Sequence, residues 1–175
     1  MNKYILSLAF GSLFISCNDV KSIGTKETTS DSGQIIAVTT DYNELFSLFT
    51  KEDNTLYVVN YWATWCTPCV EELPHFMEVN QEFSSRENFK MILVSLDKAD
   101  ELESDVQPFV QKNNITTDVY ILSDNKRMTQ WIPLVNEKWS GAIPATALYK
   151  NGQQVAFTEG QLTKEELKAL INKHI

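Results

Sequence analysis

Apolar and polar residues divide the chain into three stretches of different character. Tyr4 to Ile15 is apolar apart from Ser7, Gly11 and Ser12, with Lys3 just ahead of it. Asn18 to Gln34 is almost wholly polar. From Ile35 onward short apolar runs alternate with helical periodicity. Ile35 to Thr39 reads as a short edge strand, and Asp41 and Glu44 have the spacing of a capping box ahead of Leu45, Leu48 and Phe49. Leu56 to Trp62 is nearly continuous in apolar residues, as in a strand covered on both faces. Leu73, Phe76, Met77 and Phe83 mark the core side of the helix that follows, and Phe89 to Leu96 is a second buried strand. A third helix is expected from about Asp105, with Val106, Phe109 and Val110 inward and Pro108 in its first turn. Val119 to Leu122 is another strand. Asn125 to Trp139 has no clear period, and Pro133 argues against one uninterrupted helix there. Asn151-Gly152 between Ala145–Tyr149 and Gln154–Phe157 is a hairpin signal. Thr163 and Glu166 make a second capping box, with Leu162 and Leu167 at staple positions. The order implies an α/β fold with a mixed central sheet and helices on both faces.

The first stretch is too short to span a bilayer comfortably, since about 20 apolar residues are needed. A charged start, a short apolar centre and a small residue, here Ser16, describe a secretory signal. With Cys17 next, it resembles a bacterial lipoprotein signal, which implies lipidation of Cys17 as the new N-terminus. A plain cleaved signal and an uncleaved anchor are the alternatives. The sequence thus divides into a signal over 1–16, a lipid-attachment cysteine and flexible tether over 17–34, and a folded domain over 35–175. A polar tether of this length reaches roughly 20–25 Å.

The whole chain has 175 residues, 43% of them apolar, enough for one full core. Its 15 Lys+Arg against 23 Asp+Glu give a net charge of -8, with no basic cluster, so nucleic acid is not an expected partner. Acidity favours solubility and mutual repulsion, and a monomer is expected. Of the three cysteines, Cys66 and Cys69 form a C-x-x-C pair directly after the first buried strand. A redox motif in that position is the thioredoxin pattern, and a thioredoxin-like fold is expected. A helix N-terminus favours a thiolate through its unpaired N–H groups and the macrodipole. Cys66 is expected there as the exposed attacker, and Cys69, one turn in, as the protected resolving thiol. Half of a zinc site or a structural disulfide are the other readings of such a pair. Zinc would need two more ligands, and His75 and His174 are the sole imidazoles. No metal and no cofactor are expected.

Asn60-Tyr61-Trp62-Ala63-Thr64-Trp65-Cys66-Thr67-Pro68-Cys69, followed by Glu72-Leu73-Pro74, resembles the membrane-tethered TlpA/ResA family of thiol–disulfide oxidoreductases. The resemblance runs from about Ile35 to the end and includes Ile143-Pro144-Ala145-Thr146. It implies reduction of protein disulfides outside the cytoplasmic membrane, often in apocytochrome c maturation, with electrons from a membrane thiol donor. The location implied is the cell envelope, facing the periplasm in a Gram-negative cell. By the same resemblance Pro144 is a cis-proline facing the active disulfide, and Ile143 offers backbone groups to a substrate strand. Gly160 lies near the substrate surface. Trp62 and Trp65 are expected to pack around the disulfide and shape a docking surface, with plain core the other reading of Trp62. Glu72, near the helix surface, shuttles the proton of Cys69 and tunes both thiols, with Glu71 beside it a solvated charge. Asn60 stands where thioredoxin has a titrating acid. A disulfide oxidase or isomerase, and a metal-binding chaperone using Cys66, Cys69 and a histidine, are the competing readings. The Pro-Thr-Cys pattern of thiol peroxidases is absent. Trp131 and Trp139 are expected in the core.

Overall fold

Strand β3 (Leu56–Trp62) is buried at all seven positions and alternates between two cores. Tyr57, Val59 and Tyr61 join one cluster with Tyr42, Leu45, Trp131 and Val135. Leu56 and Val58 pack with Phe76, Val79, Phe83, Leu167 and Ile171, and Trp62 with Cys69, Leu73, Val106 and Val110. A strand flanked by helices on both sides can carry apolar residues at every position, which is why its sequence shows no alternation. The helices supplying those clusters are α1 (Tyr42–Ser47) and α4 (Met128–Val135) on one face. On the other face lie α2 (Thr67–Phe83), α3 (Gln107–Lys112) and α5 (Lys164–His174).

The structure, a computed structural model, describes Thr28–Thr29 and residues 35–175. The signal stretch, Cys17 and most of the tether lie outside these residues. The remaining strands are β1 (Thr28–Thr29), β2 (Ile35–Thr39), β4 (Phe89–Ser95), β5 (Asp118–Leu122), β6 (Ala145–Lys150) and β7 (Gln153–Glu159). Their order in the sheet is β1-β2-β5-β4-β3-β6-β7. β2, β5, β4 and β3 run parallel, and β6 and β7 close the sheet antiparallel. This is the thioredoxin-like fold with a mixed sheet and helices on both faces. Among the described residues no helix is long and apolar enough to cross a membrane.

Two features differ from the sequence pattern, and a third segment without a clear period takes the interrupted form that Pro133 implied. The sheet extends back into the stretch read as tether, where Thr28–Thr29 pairs antiparallel with Ile35-Ile36. A two-residue edge strand needs backbone hydrogen bonds rather than an apolar face, so no hydrophobic pattern announces it. The third helical segment starts earlier, as a 3-10 turn (Ala99–Glu101) and a π turn (Leu102–Val106) leading into α3, where Pro108 sits in the first turn. Between Asn125 and Trp139 a 3-10 turn (Asn125–Arg127) precedes the eight-residue α4, which contains Pro133 and ends soon after it. Trp131 and Trp139 of this segment are core residues.

The helix ends follow local chemistry. Asp41 caps α1 by accepting the Asn43 N–H, while Glu44 turns to the Thr39 hydroxyl instead of closing the box. Thr163 and Glu166 form the complete box at α5, with Leu162 and Leu167 both buried beside it. Asn151 and Gly152, at φ 49° and 76°, turn the β6–β7 hairpin in the left-handed geometry that a two-residue loop requires.

Candidate functional site

The end of β3 delivers the chain into a tight turn, Ala63-Thr64-Trp65, closed by the Cys66 N–H donating to the Ala63 carbonyl at 3.2 Å. Cys66 is the N-cap of α2, extended at φ -89° and ψ 97°, and Pro68 sits in the first turn, where its missing N–H costs no helix bond. The two thiols are joined as a disulfide with Cα atoms 5.3 Å apart. The Cys69 N–H points at Cys66 Sγ, 3.3 Å away. In the reduced protein that donor, with the helix dipole behind it, favours a thiolate on Cys66 over one on Cys69.

Cys66 is less open than the expected exposed attacker. It is 6% exposed, against 0% for Cys69. The order of access is as the spacing implies, but Cys66 Sγ lies 3.7 Å from the Ile143 carbonyl oxygen and packs in the same cluster as Trp62. Trp65 beside it is 66% exposed, the most open of the large apolar side chains among the described residues, whereas Trp62 is fully buried. Trp65 is thus the open neighbour of a nearly covered disulfide.

The loop opposite is built to be rigid. The Ile143–Pro144 bond is cis, and Ala145 immediately after it pairs with Tyr61 on β3, which places the loop across from the start of α2. Trp139 Nε1 donates to the Ala142 carbonyl at 2.8 Å. The Ser140 N–H and hydroxyl both donate to the Glu159 carboxylate. Gly141 has φ 90°, and a Cβ there would meet Ile132 Cδ1 at 3.1 Å. Gly160, at φ 103°, donates its N–H to the Pro144 carbonyl at 2.8 Å. The next residues reach two other parts of the site: Gln161 Nε2 donates to the Pro68 carbonyl at 2.8 Å, and the Leu162 N–H to Glu72 Oε2 at 2.9 Å. Gly160, Gln161 and Leu162 thus tie the Pro144 loop, the first turn of α2 and Glu72 to one another.

Glu72 is not near the surface. It is 2% exposed, one turn beyond Cys69 and packed against β3, while Glu71 faces solvent. Burial pushes its carboxyl up to about 7, against the pull of the Leu162 N–H and the Asn60 amide, which favour the charged form. Asn60 Nδ2 donates to Glu72 Oε1 at 2.8 Å and to Thr146 Oγ1 at 3.1 Å, and Asn60 Oδ1 is buried with no hydrogen-bond partner. Asn60 does not titrate, but it holds the group that does. The signal was in the spacing: Asn60 shares the α2-facing side of β3 with Val58 and Trp62, and Glu72 lies on the stripe of Cys69, Leu73 and Phe76.

Asp97 carries no motif in the sequence, yet it is buried at the C-terminal end of β4. It accepts the Thr64 N–H at 3.0 Å, the Thr64 hydroxyl at 2.7 Å and the Ser95 hydroxyl at 2.5 Å. His75 is exposed on α2. Among the described residues no group of three or more His, Cys, Asp or Glu side chains is placed to hold a metal ion. What the site offers chemically is a dithiol–disulfide pair at a helix N-terminus and a carboxyl that exchanges its proton near neutrality.

The chain is similar to known proteins. The model of the AhpC/TSA family matches residues 28–158. A thiol-disulfide oxidoreductase ResA of Bacillus cereus is 29% identical over 116 residues, 66% of this chain and 61% of that protein. Sporulation thiol-disulfide oxidoreductase A of Bacillus subtilis (strain 168) is 25% identical over 112 residues, 63% of each chain. This chain therefore spans about three fifths of the length of these relatives. Among solved structures, StoA from Bacillus subtilis superposes with a TM-score of 0.57 at 20% identity, covering 85% of this chain and 96% of that one. A thioredoxin family thiol:disulfide interchange protein from Chlorobium tepidum TLS gives 0.59 at 18% identity, covering 86% and 92%. At those identities the solved structures establish the fold. The family match covers most of the chain, including both cysteines, and on that ground the chain belongs to the AhpC/TSA family.

Proposed function

We propose that the protein is a thiol–disulfide oxidoreductase that reduces protein disulfides outside the cytoplasmic membrane, held there by a lipid on Cys17. In the reduced form the Cys66 thiolate attacks one sulfur of a substrate disulfide. A mixed disulfide forms between Cys66 and the substrate, and the other substrate sulfur leaves as a thiolate that takes up a proton. Cys69 gives up its proton and attacks Cys66 Sγ, which restores the Cys66–Cys69 disulfide and releases the second substrate thiol. Two electrons and two protons pass to the substrate in each cycle, and a membrane thiol donor returns them. Glu72, one turn from Cys69 and half-ionised near neutrality, takes the Cys69 proton in the second step.

The observation that supports this reading most is the Cys66–Cys69 disulfide capping α2, with Cys66 Sγ against the Ile143 carbonyl of the cis-proline loop. An extended substrate strand laid along that loop brings its own sulfur to Cys66 while Cys69 stays covered. The reducing direction rests on the likeness of Thr67-Pro68 and Glu72 to ResA-type proteins, and a role in apocytochrome c maturation on the wider likeness from Val58 to Pro74. A Cys69→Ser variant of the full chain tests the reading. Cys66 can still attack but the second step is blocked, so the membrane fraction should accumulate complexes that dithiothreitol dissolves and that contain extracytoplasmic cysteine pairs such as those of apocytochrome c. Absence of such complexes, or complexes that survive Cys66→Ser in the same chain, would contradict it.

A further inference from the structure

Three acidic side chains are buried among the described residues: Glu72, Asp97 and Asp124. Asp124 is paired with the Arg127 guanidinium at 2.7 Å. Glu72 takes part in the cycle above. Asp97, 1% exposed, has no cationic partner among the described residues: Lys98 next to it pairs with Glu101 at 3.1 Å. Its oxygens are satisfied by the Thr64 N–H and hydroxyl and by the Ser95 hydroxyl, and its own N–H donates to Ser95 Oγ at 3.0 Å. A buried carboxylate held only by neutral donors keeps most of its field, because no counter-charge cancels it.

That field falls on the turn that presents Cys66. Trp62 is in register with Ser95, and the Leu96 N–H donates to the Trp62 carbonyl at 2.8 Å, so Asp97 lies alongside Thr64. Cys66 is two residues further on, at most about 7 Å between Cα atoms. The Thr64 bonds fasten the carboxylate to the turn that leads into Cys66. We propose that Asp97 sets the reduction potential of the Cys66–Cys69 pair, holding it reducing by keeping a negative charge beside the attacking thiol. The inference rests on the dithiol–disulfide reading of the site and adds what tunes it.

The sign follows from electrostatics. A thiolate on Cys66 stabilises the reduced form, and a reduced form so stabilised makes the pair more oxidising. A negative charge nearby disfavours that thiolate and shifts the pair the other way. At an effective dielectric constant of about 20, a unit charge within roughly 10 Å changes a thiol's ionisation equilibrium by about tenfold. Glu72 acts on the same thiols from α2, whereas Asp97 is fastened at the other side of the turn.

Asp97→Asn removes the charge and keeps the shape. Its oxygen can still accept from Thr64, and its amide can donate to Ser95 Oγ. The test is equilibration with glutathione, in which the protein disulfide and two glutathione thiols give the protein dithiol and one glutathione disulfide. Measured at a pH where reduced Cys66 is mainly thiolate, Asp97→Asn should raise that equilibrium constant three- to tenfold, up to about 30 mV toward oxidising, and at a pH where Cys66 is mainly protonated it should speed alkylation by a similar factor. Ser95→Ala takes one donor from the carboxylate and leaves its charge less neutralised, so the constant should fall. An Asn variant with the wild-type constant, or both variants moving the same way, would mean that Asp97 merely fastens the turn. Should Asp97→Asn fail to fold, a rise in the constant for Ser95→Ala overturns the inference by itself. A wild type that does not exchange with glutathione at all would overturn the dithiol reading as well, whereas a wild type that exchanges beside an unmoved Asn variant sinks only the role of Asp97.

Discussion

Cys66→Ser should lower disulfide-reducing activity by at least about a thousandfold, because the serine hydroxyl does not ionise near neutrality and the thiolate is the nucleophile. Every later step depends on the bond that Cys66 forms first, so no other residue of the site compensates. The fold should survive: Cys66 caps α2 with its sulfur accepting the Cys69 N–H, and serine is a good N-cap that accepts the same bond. A loss of activity with unchanged far-ultraviolet dichroism and thermal unfolding against a reduced wild-type reference is the expected result. Cys69→Ser should differ in kind, forming one equivalent of mixed disulfide and then stopping. Turnover by Cys66→Ser above one hundredth of the wild-type rate would remove Cys66 from the centre of the account.

The second large effect is on stability, through Glu72. Its carboxyl is pushed up to about 7 in the folded chain, chiefly by burial, from the usual 4.5. Between those two values the folded state holds a proton that the unfolded chain has released. Stability must therefore fall as pH rises from about 4.5 through 7 and level off above, the reverse of a salt-bridged acid, whose contribution is lost as pH falls. The total is of the order of 3 kcal/mol. Glu72→Gln is neutral throughout and should lose this slope. The amide also fits: Gln Oε1 accepts the Leu162 N–H, and Asn60, turned about, offers its unpartnered Oδ1 to the new NH2 group. Denaturant titrations of the oxidised protein, in which the thiols do not titrate, should show Glu72→Gln within about 1 kcal/mol of wild type at pH 5 and more stable by a larger margin at pH 8. Reductase turnover should move oppositely, slower in the variant and less responsive to pH, with Glu71→Gln as the solvent-facing control. Equal pH slopes in wild type and Glu72→Gln would mean that Glu72 is ionised throughout.

Much of this was legible in the sequence because the physics involved is local. The nearly continuous apolar run Leu56–Trp62 marked a doubly covered strand, Asn151-Gly152 fixed the hairpin, and Thr163 with Glu166 fixed the start of α5. The cysteine spacing placed the disulfide at a helix N-terminus for the same reason. Where the reading fell short, the missing information was tertiary. Glu72 looks like a helix charge until Asn60 and Leu162 are seen to close over it. Asp97 is one acid among many until the register of β4 on β3 brings it to Thr64. Thr28–Thr29 has no apolar face to reveal it, only a free edge of β2 to pair with. Cys66 proved more covered than its place at a helix end suggested, because the Ile143 loop arrives from 77 residues away.

The central claim, that Cys66 and Cys69 are a reversible couple working in the reducing direction, is tested most directly by the midpoint potential of the pair. Titration in defined thiol–disulfide buffers, read by Trp fluorescence or by alkylation of the free thiols, gives that number without knowledge of the substrate. A single two-electron transition is expected, closer to the value of thioredoxin, about -270 mV, than to that of DsbA, about -120 mV. A potential nearer DsbA would make the protein an oxidant of its partners and contradict the proposed direction of electron flow.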